Sequence, residues 1–150
     1  MQAALRLDEG PWFPVRDGDP RLRDFYNRHY SSRGGDSPLI CGPGEKLVLL
    51  THAIDALFVW RRFRDMRDEP GVNCAVFRNE SGNPGGELIR AAELLAFERW
   101  GSVRLYTYVN AAAIRSTNPG YCFQVCGWRK CATTPGGHGR PQLIVLEKLP

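Results

Sequence analysis

The chain has 150 residues and a net charge of +4, with 43% hydrophobic and 24% charged residues, a balance that favours one globular domain over residues 1–150 and argues against disorder. Its longest apolar runs, LVLL and ALFVW, are far too short to span a bilayer, and no stretch near residue 1 suits a signal peptide, so a soluble, cytoplasmic protein is expected. Five cysteines (Cys41, Cys74, Cys122, Cys126 and Cys131), an odd number without a secretion signal, argue against a disulfide framework.

In chain order, a first strand is expected near Trp12–Val15. Asp19-Pro20 reads as a helix N-cap followed by proline at the first helical position. Leu22, Phe25, Tyr26, His29 and Tyr30 then share one face of a helix running to about Ser31. Residues 32–45 (SRGGDSPLICGPGE) form a glycine- and proline-rich loop. Strands at 46–51 and 56–63 are close enough in sequence for an antiparallel hairpin. After the charged turn 64–71, a strand over 72–78 should place Val72, Cys74 and Val76 on one side and Ala75 and Phe77 on the other.

Residues 79–86 (NESGNPGG) lead into a helix over 87–100, with Leu88, Ala92, Leu95 and Ala96 as its buried stripe and Gly101 as its stop. A strand over 104–110 follows, with Tyr106, Tyr108 and Asn110 on one side and Leu105, Thr107 and Val109 on the other. A short helix within 118–127 is closed by Gly127, and strands at 128–133 and 142–148 end the chain. This order defines an α+β protein with a mixed sheet. Strand, helix and strand across 72–110 require a parallel, right-handed crossover, and those two strands are expected to splay at one end into a cleft.

Three groups of residues bear on chemistry. The loop before the second helix is the first: Gly82, Gly85 and Gly86 would let phosphates approach backbone N–H groups at a positive helix end, helped by Arg78 or Arg90. A plain strand–helix connection that needs glycine is the alternative. The second is arginine, which supplies 17 of the 20 basic residues. Arg61, Arg62, Arg64 and Arg67 form a cluster suited to nucleic-acid phosphates, partly neutralised by Asp65, Asp68 and Glu69. A GC-rich coding sequence is the other source of such a bias. The third is Cys122, Cys126 and Cys131 with His138, whose spacing matches no recurrent zinc pattern, so no zinc is expected.

The stretch 104–128 resembles the C-terminal half of GNAT acetyltransferases, in which a strand is followed by an asparagine, a short helix and an aromatic-x-x-x-Gly-Phe ending. Asn118, Phe123, Gly127 and Trp128 match that ending. The resemblance implies a GNAT-like mixed central sheet with flanking helices, and a donor such as acetyl-coenzyme A held by Arg78, Ser81, Gly82, Gly85, Gly86 and Asn118. The run from Arg78 to Gly85 is longer than the family's usual loop. Phe123 occupies a position that is a general-acid tyrosine in many members, and phenylalanine carries no proton to donate. Tyr121 or Tyr108 would then take that part.

A narrower resemblance is to the bacteriophage Mom DNA-modification proteins, through Arg28-His29-Tyr30-Ser31, Arg78-Asn79-Glu80-Ser81 and Tyr108-Val109-Asn110. It implies a phage-infected or prophage-bearing host, a DNA base (adenine) as acceptor, flipped from duplex DNA, and iron near His29 and Tyr30. Asn110 stands where that family has an aspartate, and asparagine is the poorer metal ligand. The expected function is group transfer to a DNA base by His29, Tyr30, Tyr108, Asn110 and Tyr121. The alternatives are acetylation of a small amine, and an inactive nucleic-acid-binding or interaction protein that keeps only the fold. Oligomeric state is not legible.

Overall fold

The computed structural model describes residues 10–27, 43–63, 69–113 and 120–150. The elements are β1 (Trp12–Val15), α1 (Pro20–Asn27), β2 (Glu45–Thr51), β3 (Ala56–Arg62), β4 (Val72–Asn79), α2 (Gly85–Trp100), β5 (Leu105–Val109), α3 (Tyr121–Val125), β6 (Arg129–Thr133) and β7 (Ile144–Lys148). A single 3-10 turn, Ala111–Ala113, follows β5. The expected order of elements therefore holds. The start of α2 shifts from 87 to Gly85, because Pro84 supplies the N-cap with a helix-compatible φ of −59°. Its end is set by Gly101, at φ 76°, whose N–H bonds the Phe97 carbonyl.

All seven strands form one sheet in the order β1-β2-β3-β4-β5-β7-β6. Every neighbouring pair is antiparallel except β4 and β5, which run parallel as the crossover through α2 demands. Because β3 is antiparallel to β4, the C-terminal end of β3 lies beside the start of β4. The C-terminal ends of β4 and β5 and the N-terminus of α2 share the opposite end of the sheet.

The alternation expected in β4 is broken. Val59 pairs with Val76 and Trp60 with Cys74, so Ala75 is an extra residue bulged out of the β3–β4 ladder. Val72 and Cys74 face the α2 side, whereas Val76 joins the cluster on the α1 side. Period-two reading fails here because one inserted residue reverses the face of everything after it.

Two cores result. Under α2, Leu88, Ile89, Ala92, Leu95 and Ala96 pack on Trp12, Phe58, Trp60, Val72 and Leu105. Two indoles fasten helix to sheet: Trp12 Nε1 donates to the Leu88 carbonyl at 2.9 Å, and Trp60 Nε1 to the Ala92 carbonyl at 2.8 Å. These carbonyls are one helical turn apart, so the two strands grip successive turns. On the other face, Leu22 and Phe25 of α1 close over Val48, Leu50, Leu57 and Val59.

The cap read at Asp19 is formed: its Oδ1 accepts from the Arg21 backbone N–H at 2.9 Å, and its carboxylate pairs with the Arg21 guanidinium at 2.7 Å. The Arg21 side chain, then its backbone N–H, hold the Asp19 pKa down at about 2. Asp19→Ala is expected to lower unfolding stability by about 1 kcal/mol, read from the urea midpoint at unchanged m-value.

Candidate active site

The parallel seam between β4 and β5 is short. Val72, Asn73 and Cys74 pair with Leu105, Tyr106 and Thr107, and the Thr107 hydroxyl donates to the Cys74 carbonyl at 3.0 Å. Beyond Cys74 the two strands have no register partners in each other. The seam ends where the Ala75 bulge begins, and a bulge bends its strand and increases its twist. From Val76 onward, β4 is paired only to β3, so its backbone groups on the β5 side face a split.

The split opens toward the N-terminus of α2. Pro84 has no side-chain donor or acceptor, and among the described residues no side chain caps this helix, so the first-turn N–H groups of Gly85, Gly86 and Glu87 are available to a ligand. The preceding loop is braced from within. Asn79 Nδ2 donates to the Asn83 carbonyl at 2.8 Å, and Asn79 Oδ1 accepts from the Ser81 N–H at 2.9 Å and its hydroxyl at 2.5 Å. Ser81 Oγ in turn accepts from the Asn83 N–H at 3.1 Å. Ser81 therefore builds the loop. Asn79, part of the Arg78–Ser81 motif but given no role at the site from sequence, is its organiser, and the signal was an Asn followed two residues later by Ser.

The glycines differ in purpose. A side chain at Gly82 would meet nothing within 4 Å, and one at Gly86 would make only ordinary contacts with Cys126 and Val125. At Gly85 a Cβ would stand 2.7 Å from Cys122 Sγ, so this glycine lets α3 close on α2. Arg78 is paired with Glu80 at 2.6 Å, and Arg90 Nη2 donates to the Val125 carbonyl at 3.1 Å. Both basic side chains are held at the site by local partners.

Tyr108, half-buried, is the first β5 residue past the last pair with β4, with its ring edge-to-face against Tyr106 at 5.7 Å. Asn110 follows β5, and its side-chain oxygen accepts from the Ala112 N–H at 3.2 Å, which ties it to the 3-10 turn. Tyr121 is 60% exposed on α3. It lies about 200° around the helix from Phe123, so it does not occupy Phe123's position. Phe123 is buried between Phe77 of β4 and Trp128, with ring centroids at 5.9 and 4.9 Å.

Arg61 and Arg62 end β3, beside the start of β4. Antiparallel pairing sets Arg61 opposite Asn73, toward the end of the sheet away from the α2 N-terminus, about 7 Å along the strand from where the split begins and about 17 Å from the end of β4. Arg61 Nε is bonded there to the Pro43 carbonyl at 2.6 Å. An open groove of about 230 Å³, lined by Leu47, Leu95, Glu98 and Arg99, also lies toward that end of α2 and not at the split. His29, Tyr30, Arg64, Arg67 and Asn118 lie outside the described residues, and with them the iron site expected at His29 and Tyr30. Among the described residues no group of three or more His, Cys, Asp or Glu side chains is placed to hold a metal ion.

This is the GNAT fold: a seven-stranded mixed sheet, parallel at one seam, split at that seam beside a helix N-terminus. A solved structure titled spermidine N-acetyltransferase SpeG K23-Q34 chimera from Vibrio cholerae and hSSAT superposes with a TM-score of 0.59 at 10% identity, covering 92% of this chain and 93% of that one. No family model matches the chain, and no curated protein matches it.

Proposed function

We propose that this chain transfers an acyl group from acetyl-coenzyme A to a small amine. The observation that carries the reading is the split of β4 from β5 directly beside the uncapped first turn of α2. A helix start with free N–H groups suits the donor's phosphates, and unpaired strand backbone suits the amide-bearing arm between phosphates and thioester. The residues present fit such a donor: Gly82 and Gly86 leave its approach open, and Asn79 with Ser81 fixes the loop. When bound, the thioester supplies the activated acyl group.

The chain's own residues then have separable tasks. Gly85, Gly86 and Glu87 present the N–H groups that hold phosphate charge. Phe77 and Phe123 form an apolar wall that excludes water from the β4 side. Tyr108 brings a phenol to the mouth of the split, where it can pass a proton to the departing group. The amine acceptor is favoured over a DNA base because Arg61 and Arg62 end β3 on the side of the sheet away from the α2 N-terminus, and because the superposable structure is titled a spermidine N-acetyltransferase.

Thermal-shift titration tests the donor. Acetyl-coenzyme A at a hundredfold excess over its Kd is expected to stabilise the protein by about 2.7 kcal/mol. Mass spectrometry of a panel of amines, spermidine included, then identifies the acceptor. No stabilisation at millimolar donor would overturn the reading and favour a protein that keeps only the fold. Acetyl transfer to nucleosides and to none of the amines would return the DNA reading to the front.

A further inference from the structure

Glu93 is a carboxylate in the middle of α2's buried face, 3% exposed. One of its oxygens, Oε1, accepts from Lys148 Nζ at the end of β7. The other, Oε2, is buried and has no hydrogen-bond partner among the described residues. Lys148 Nζ makes a second bond, to the carbonyl of Cys126 at the C-cap of α3, at 2.9 Å. Cys126 in turn donates its thiol to the Gly86 carbonyl at 3.2 Å, in the first turn of α2. Arg90, one turn before Leu94 on α2, takes the neighbouring Val125 carbonyl. Two cations therefore satisfy the carbonyl end of α3, where a helix leaves acceptors unpaired and its dipole is negative.

Glu93 is buried while the Lys148 side chain is 31% exposed, and such an ion pair is a poor source of net stability, because desolvating the carboxylate offsets the attraction, and apolar residues of the same volume do as well or better. What it does supply is a single geometry. Lys148 has to be where both Glu93 and the Cys126 carbonyl can reach it, and that fixes α3 relative to α2 and β7 together. The result is seen at the other end of α3, where Cys122 Sγ stands so close to Gly85 that a Cβ there would be 2.7 Å away.

We propose that Glu93 and Lys148 are positioning residues of the donor site, acting through α3 on the first turn of α2. Neither side chain touches the split. Their pairing sets how closely Cys122 and Cys126 press on Gly85 and Gly86, and hence where the phosphate-binding N–H groups point. The proposal rests on the donor reading above.

The test replaces the pair by apolar residues, Glu93→Leu with Lys148→Met, and follows melting temperature, acetyl-coenzyme A affinity by calorimetry, and hydrogen exchange. The expected result is a melting temperature at or above wild type, a Kd raised roughly tenfold, and faster exchange confined to the amides of 88–90 and 123–128. Unchanged Kd in a stable double variant overturns the proposal, since a purely structural pair predicts that. Should the double variant not fold, Glu93→Leu alone removes the acceptor of Lys148, whose side chain is 31% exposed and can turn to water, and a Kd equal to wild type there is equally fatal. Wild-type protein that does not bind acetyl-coenzyme A overturns the donor reading and the positioning role with it. The exchange pattern separates the two failures, because it reports the hold on α3 with no donor present.

Discussion

Arg104→Ala is expected to cost about 3 kcal/mol of unfolding stability, the scale for leaving a buried carboxylate without its partner. Arg104, at the entry to β5, donates to Glu147 of β7 at 2.8 Å, to Glu69 at 3.0 Å and to the Pro70 carbonyl at 2.8 Å. Its guanidinium also lies over the Tyr106 ring at 4.9 Å. Its side chain is only 16% exposed and Glu147's 11%, so water replaces little of what is lost. Arg129, at 3.6 Å and largely exposed, is the weaker partner that Glu147 would keep.

The same contact sets an acid limb. The hydrogen bond from Arg104 holds the Glu147 pKa below the ordinary carboxylate value, against the opposing effect of burial. A carboxyl group lowered in the folded state contributes its stability above the unfolded value, about 4.3, and loses it as pH falls through the folded value. Urea unfolding from pH 7 downward should therefore show a decline below about pH 4.3 in wild type that is shallower in Arg104→Ala. An identical decline in both would show that Glu147 does not depend on Arg104.

Gly86→Asp is expected to separate stability from binding. At the second position of α2 the backbone tolerates a side chain, since a Cβ meets only Cys126 Sγ at 3.6 Å and Val125 Cγ1 at 3.7 Å. A carboxylate there interacts favourably with the helix dipole by about 0.3–1 kcal/mol, and the lost glycine removes unfolded-state freedom. The melting temperature should hold or rise. Donor phosphates would meet a like charge in contact, costing several kcal/mol, so affinity for acetyl-coenzyme A should fall by about a hundredfold or more. Calorimetry at two salt concentrations checks this, because screening should return part of the loss. Equal affinity in the variant and wild type would move the phosphates away from α2.

Much of this was written in local chemistry. Proline at 84 and glycine at 101 mark the two ends of α2 to within two residues. The strand–helix–strand run over 72–110 fixes a parallel pair, because a right-twisted strand feeding a right-handed helix returns only that way. Glu93 was also legible: it falls one residue after Ala92 and three before Ala96, on the same stripe, and an acid on a buried stripe asks for a partner. Nothing local names that partner, since Lys148 lies 55 positions away.

The sequence by itself determined the order of elements, the parallel crossover and the presence of a glycine-lined helix start, because each follows from neighbours along the chain. Only the tertiary structure decided which glycine is steric and which is open, that Ala75 reverses the face of β4, and that Arg61 and Arg62 lie toward the end of the sheet away from the α2 N-terminus. Those are matters of register between strands, and a one-residue slip or a reversed strand direction moves a side chain to the other face or the other end without changing a single local preference.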